Sequence, residues 1–195
     1  MRNIKYFTQE ELIKLFQSIE RTKNNNKYWL RDLCILRVAY RCGLRASEIG
    51  IIKRNDYNSK TKEIYCRRLK GSLNNTIRLD KETVKILNAY IKEYGIGSFD
   101  ALFKSRQNKP ISRQMLDIII KKYCKMAGIH NVSKWHFHTL KHSIAVHLAE
   151  SGLDIKEVQY YMGHKNVNNT LIYFQFTTSQ QENMYKKLKK SNMLV

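Results

Sequence analysis

The sequence predicts a mainly α-helical fold with a small antiparallel β-sheet. Three observations carry this expectation. Helix-start signals recur ahead of apolar residues at helical spacing, as with Thr8 and Glu11 before Leu12, Leu15, Phe16 and Ile19. β-Branched and aromatic residues gather instead in two short runs, 63–69 and 76–79, on either side of Lys70-Gly71-Ser72-Leu73-Asn74-Asn75. No stretch rich in Pro, Gly or Ser divides the 195 residues, so 1–195 reads as one domain.

Taken in order, Thr8 and Glu11 form a capping box that opens a helix over 9–20. Asn24-Asn25-Asn26 is a loop, and a second helix runs through Leu30, Leu33, Leu36 and Tyr40 until Gly43 stops it. A short helix starts near Ala46. The runs 63–69 and 76–79 make a hairpin or small sheet with an extended turn between them. Asp80 caps a helix with Val84, Leu87 and Ile91 on its apolar side, closed by Gly95. Ser112, just after Pro110, starts a helix that Gly128 ends. His138 to Ser151 is helical and stops at Gly152. Asp154 and Glu157 form a second capping box for a helix to Met162, and a short helix carries Tyr173. A last helix is expected over 180–190, inside a lysine-rich tail of residues 179–195.

Charge sets the partner class. Thirty-six Lys and Arg against 16 Asp and Glu give a formal net charge of +20. An excess of that size repels itself in the compact state unless an anion absorbs it, and double-stranded DNA is the anion it suits best. A membrane surface would call for a basic amphipathic helix or a lipidation signal, and neither is evident. No apolar run approaches the ~18 residues of a membrane span. Met1-Arg2-Asn3-Ile4-Lys5 does not begin a signal peptide. Cys34, Cys42, Cys66 and Cys124 lie apart in apolar runs with no CxxC pair, so they read as buried thiols in a reducing compartment. A cytoplasmic, nucleoid-associated protein is expected, and there is no membrane partner.

Phosphoryl transfer needs cations on the non-bridging oxygens, an in-line nucleophile and an acid for the leaving oxygen. The chain carries candidates for all three in five short words. Arg45, in Gly43-Leu44-Arg45-Ala46-Ser47-Glu48, lies at a turn between helices where a guanidinium forks onto two phosphate oxygens, or pairs with Glu48. Lys70 sits beside Gly71 at a hairpin tip, either against a ligand or as a solvated turn residue. His138 and Lys141 share a helix face in His138-Thr139-Leu140-Lys141-His142. His138 and His142, four apart and with His136 nearby, also have spacing that suits a structural metal. The zinc-protease pattern fails, because Thr139 stands where it needs Glu. His164 follows Gly163 as a phosphate-facing histidine or a core or capping one, and Tyr173, one of twelve tyrosines, lies nine residues beyond it. No GxxxxGK[ST] run is present, which argues against nucleotide hydrolysis.

The five words GLRASE, LKG, HTLKH, MGH and Tyr173, in that order, resemble the hallmark boxes of the tyrosine recombinase (phage integrase) family. The likeness spans residues 43 to 173. It implies the catalytic domain of a DNA breaking–rejoining enzyme and site-specific recombination: integration, excision or inversion through a 3′-phosphotyrosyl intermediate. Carried over, Arg45 and Lys141 clamp the scissile phosphate, and His138 and His164 hydrogen-bond it. Lys70 protonates the 5′-oxygen and Tyr173 is the nucleophile. Glu48 and His142 are supporting residues. The resemblance further implies no cofactor and no metal. It implies a homotetramer assembled on double-stranded DNA with inverted-repeat sites, and a tail that exchanges between protomers. Two departures stand out. Lys141 occupies the usual place of an arginine and loses its bidentate fork, which lowers the expected activity. The extra N-terminal DNA-clamping domain of most members has no counterpart here, so the chain resembles the short fimbrial phase-variation invertases or a piece of a longer integrase. The alternatives are a catalytically weakened DNA-binding relative and a topoisomerase IB-like relaxing enzyme.

Overall fold

The computed structural model describes residues 4–174 together with Tyr185 and Lys186. The expected helix over 180–190 and its exchange between protomers therefore lie, apart from those two residues, outside the described residues.

Helices α1, α4, α5 and α7 begin where their caps are encoded. In α1 (Gln9–Glu20) the Thr8 hydroxyl accepts from the Glu11 amide and the Glu11 carboxylate accepts from the Thr8 amide. α2 (Trp29–Cys42) ends on Gly43, whose left-handed φ of 57° turns the chain into the short α3 (Ala46–Ile49). Asp80 and Ser112 cap α4 (Lys81–Glu93) and α5 (Arg113–Met126). α6 (His138–Glu150) follows a single 3₁₀ turn over Val132–Lys134. α7 (Ile155–Met162) has the Asp154–Glu157 capping box and ends on Gly163, again left-handed at φ 65°. α8 (Asn168–Phe174) carries Tyr173.

The core is built around α2 and α6. In α2, Leu30, Leu33, Cys34, Ile35, Leu36, Val38 and Ala39 are all buried, so the helix has apolar contacts nearly all round, as a central helix must. It packs against α1, α4 and α6, while α6 also supports α7 and α8. The four cysteines are buried free thiols. Among the described residues no helix is long and apolar enough to cross a membrane.

The β element is the small antiparallel sheet expected, with one strand more than the two runs marked and an earlier end to the first of them. It is a three-stranded antiparallel sheet in the order β1 (Tyr57–Asn58), β2 (Glu63–Cys66), β3 (Asn75–Arg78). The added strand is two residues long, too short to carry a period-two signal. β2 also stops at Cys66 instead of continuing to Leu69. Its next amides leave the ladder for side chains: Arg68 donates to the Asn74 side chain at 2.8 Å and Leu69 to Glu48 Oε1 at 3.0 Å. The extended turn is thereby tied to the helical layer, and with it Lys70.

Candidate active site

The site is assembled from helix ends and the hairpin turn. Gly43 brings Arg45 to the start of α3, and Glu48 one turn on holds it. The Glu48 carboxylate, fully buried, accepts from the Arg45 amide at 2.8 Å, the Arg45 guanidinium at 2.7 Å and the Leu69 amide at 3.0 Å. Burial pushes this carboxyl up, but those three donors and the Lys141 charge together take it below its ordinary value. Arg45 Nη1 also donates to the Ser72 hydroxyl at 3.2 Å. One carboxylate thus joins α3 to the turn bearing Lys70, and Lys70 takes up a left-handed φ of 57° ahead of Gly71.

Arg68, not singled out in the sequence, is the hub of this arrangement. Its side chain is fully buried and donates to the carbonyls of Cys42 at 2.8 Å, Gly43 at 3.0 Å and Tyr161 at 3.2 Å, and to Asn75 Oδ1 at 3.1 Å. Asn75 in turn donates to the carbonyls of Tyr160 and Tyr161. The end of α2, the hairpin and the end of α7 therefore meet at one guanidinium. Ile64, Cys66 and Arg68 share parity and are all buried, so the inward face of β2 continues past its last ladder residue to Arg68. Gly163 completes the junction. Its carbonyl accepts from the Leu73 amide at 2.8 Å, and a Cβ on it would stand 2.5 Å from the Leu73 carbonyl oxygen. The glycine of the MGH word is therefore where the hairpin turn docks.

α6 supplies the next groups. Lys141 is 2 % exposed and donates to the Gly43 carbonyl at 3.0 Å. Burial, then the charges of Arg68 and Arg45, bring its ammonium down to about 7. His138, at the first position of α6, is held down to about 4 by burial and by Lys141 and Arg45. One turn along the same face, His142 meets it edge-on at a centroid distance of 4.4 Å, and burial, then His138 and Lys141, hold it to about 4 as well. His164 lies against the Thr170 hydroxyl, Nδ1 to Oγ1 3.0 Å, and is lowered to about 3 by burial and the same cations. At pH 7 the three imidazoles are neutral, each with one donor and one acceptor nitrogen.

Tyr173 is 2 % exposed, and burial pushes its phenol up to about 12. Its hydroxyl lies 2.9 Å from His142 Nδ1, and its ring runs nearly parallel to that of His164 at 6.4 Å. Arg45, Lys70, His138, Lys141, His164 and Tyr173 all line one open cleft of about 1000 Å³. Glu48 stands beneath it and His142 beside Tyr173, so every candidate residue of the sequence falls in this one region. Arg113 and Gln114, at the start of α5, also line the cleft, and no motif marks either of them in the sequence. Among the described residues no three of His, Cys, Asp or Glu are grouped to hold a metal ion, so His136, His138 and His142 do not make such a site. The arrangement can hold an oxyanion among cations and neutral imidazoles, with a phenol alongside.

A helical domain with a small antiparallel sheet and this cleft is the catalytic-domain architecture of the tyrosine recombinases. The chain belongs to the phage integrase family, which it matches over residues 5–180. It is 33% identical over 162 residues to tyrosine recombinase XerA of Pyrococcus horikoshii, covering 82% of this chain but only 55% of that protein. It is 31% identical over 160 residues to the type 1 fimbriae regulatory protein FimB of Escherichia coli K12, covering 80% of this chain and 79% of FimB. The chain thus spans little more than half of the Xer relative and most of the fimbrial one. In fold it resembles crystalline XerA recombinase, with a TM-score of 0.79 and 24% identity over 96% of this chain and 64% of that one. The catalytic domain of bacteriophage HP1 integrase gives a TM-score of 0.66 and 18% identity over 94% and 95% of the two chains.

Proposed function

We propose that this protein is a site-specific DNA recombinase that integrates, excises or inverts a DNA segment through a 3′-phosphotyrosyl intermediate. The observation that carries the reading is that six side chains from five separated words line a single cleft. In this reading the scissile phosphate sits between Arg45 and Lys141, with His138 and His164 donating to its non-bridging oxygens. Such preorganised donors stabilise the charge that develops at phosphorus. Tyr173 Oη attacks phosphorus, and Lys70, reaching in from the hairpin turn, protonates the departing 5′-oxygen. The bond energy is kept in the covalent link, so the reaction needs no cofactor. Arg113 and Gln114 on the rim are side-chain types that read guanine and adenine edges in a major groove.

The reading extends to partners. Residues 1–195 act as one domain on double-stranded DNA carrying inverted repeats, in the nucleoid, and four copies assemble on two sites. The Xer relatives, tyrosine recombinases by name, support recombination over simple DNA occupancy. The test is a suicide duplex that traps the covalent adduct. Wild-type protein is expected to link to DNA through Tyr173, whereas Tyr173→Phe loses the adduct and keeps its DNA affinity. An adduct mapping to Tyr160, Tyr161 or Tyr185 would overturn the assignment. Exchange between two sites, absent from an enzyme that only relaxes DNA, completes the test.

A further inference from the structure

The nucleophile must lose a proton: Lys70 serves as proton donor to the leaving oxygen, and the phenol needs an acceptor of its own. Tyr173 is almost wholly buried, so bulk water is poorly placed to take that proton. Its hydroxyl is instead 2.9 Å from Nδ1 of His142, within the reach required of a general base. His142 is held in place by α6, one turn from His138, whose ring packs edge-on against it. We propose that His142, through Nδ1, is the catalytic residue that accepts the Tyr173 proton during strand cleavage. This inference rests on Tyr173 being the nucleophile.

The chemistry balances within the site. The Tyr173 O–H bond breaks as its proton passes to His142 Nδ1, the Oη–P bond forms, and the P–O5′ bond breaks with the 5′-oxygen taking a proton from Lys70. Rejoining runs the steps backwards: the incoming 5′-hydroxyl gives its proton to Lys70, and the imidazolium returns one to the tyrosine. The role requires the Nε2–H tautomer of a neutral ring, and burial together with His138 and Lys141 keeps the ring neutral at pH 7. The same values set the timing. With the phenol at about 12 and the imidazole at about 4, transfer ahead of attack is steeply uphill. The proton therefore moves as the Oη–P bond forms and the phenol becomes acidic.

The experiment is single-turnover cleavage of a suicide duplex by wild type, His142→Gln and His142→Gly, with DNA affinity measured alongside. Gln keeps an acceptor oxygen and the side-chain bulk but cannot take up a proton. His142→Gln is expected to cleave about 10²–10⁴ times more slowly, the usual worth of general acid–base catalysis, at unchanged affinity. Added imidazole is expected to restore part of the rate in His142→Gly. A second substrate, with sulfur at the bridging 5′ position, needs no acid for its leaving group. On it the defect of Lys70→Ala should vanish while that of His142→Gln persists. A wild-type rate in His142→Gln would overturn the proposal. So would faster cleavage, which would make His142 a restraint on the phenol, or a defect that vanishes with the sulfur substrate, which would place His142 on the leaving-group side. If wild type forms the Tyr173 adduct and His142→Gln matches it, this inference alone falls. If wild type forms no Tyr173 adduct, the functional reading falls and the inference with it.

Discussion

Lys141 is where the chemistry of one side chain sets the behaviour of the site. Its ammonium is buried against the Gly43 carbonyl and shares that acceptor with Arg68. An ammonium offers a point charge where a guanidinium offers a fixed fork, and at about 7 a sizeable share of it is uncharged in the DNA-free protein at neutral pH. Losing one preorganised donor at a developing oxyanion costs about 10²–10³ in rate, which is the drop expected for Lys141→Ala. Lys141→Arg restores a permanent charge and the fork, and its single-turnover cleavage is expected to rise by about tenfold. A fall in rate would show a site shaped around the ammonium. The histidines make a separate prediction. His138, His142 and His164 are lowered in the folded protein to about 3–4 from an ordinary value of 6.5. Below 6.5 the unfolded chain therefore binds more protons than the folded one, so stability declines as the pH falls from 6.5 towards 4. Thermal melts of the DNA-free protein should show this loss, reduced when His164 is replaced by Gln.

At the scale of elements, the docking of the hairpin turn on the end of α7 is what brings Lys70 to the cleft. Gly163 permits it through a left-handed backbone and the lack of a Cβ. Gly163→Ala should destabilise the protein by about 1–3 kcal/mol through backbone strain, with the clash against Leu73 added. Denaturant unfolding measures the first effect. Cleavage should fall further than stability explains, because the turn that carries Lys70 must move. These relations also mark how far the sequence could be read. Helices α1, α4, α5 and α7 were legible because the caps Thr8, Asp80, Ser112 and Asp154 act within a few residues, and α2 and α6, which have no side-chain cap, because their helical runs stop at Gly43 and Gly152. The hallmark words were legible because Arg45, His138, Lys141, His164 and Tyr173 keep their order and spacing. Arg68 escaped notice because its partners lie 25, 26 and 93 residues away in sequence. The bond between His142 and Tyr173 escaped for the same reason, since it depends on how α8 folds back onto α6.

For the whole molecule the dominant quantity is the net charge of +20. If six to ten phosphates are neutralised on binding, affinity should fall by about 10³–10⁵ between 50 and 200 mM salt. Titration of a labelled duplex across that range measures it, and a flat response would separate the charge from DNA. The convergence on Arg68 has a consequence for how the protein is made. A chain emerging from the ribosome carries Arg45, Lys70 and the Arg68 side chain long before it carries Tyr160 and Tyr161, whose carbonyls complete the junction, and before His164 and Tyr173. Until those last segments arrive, the Arg68 guanidinium lacks a full set of acceptors and the cleft lacks the tyrosine of α8. A half-made copy therefore carries much of the positive charge before it carries a complete cleft.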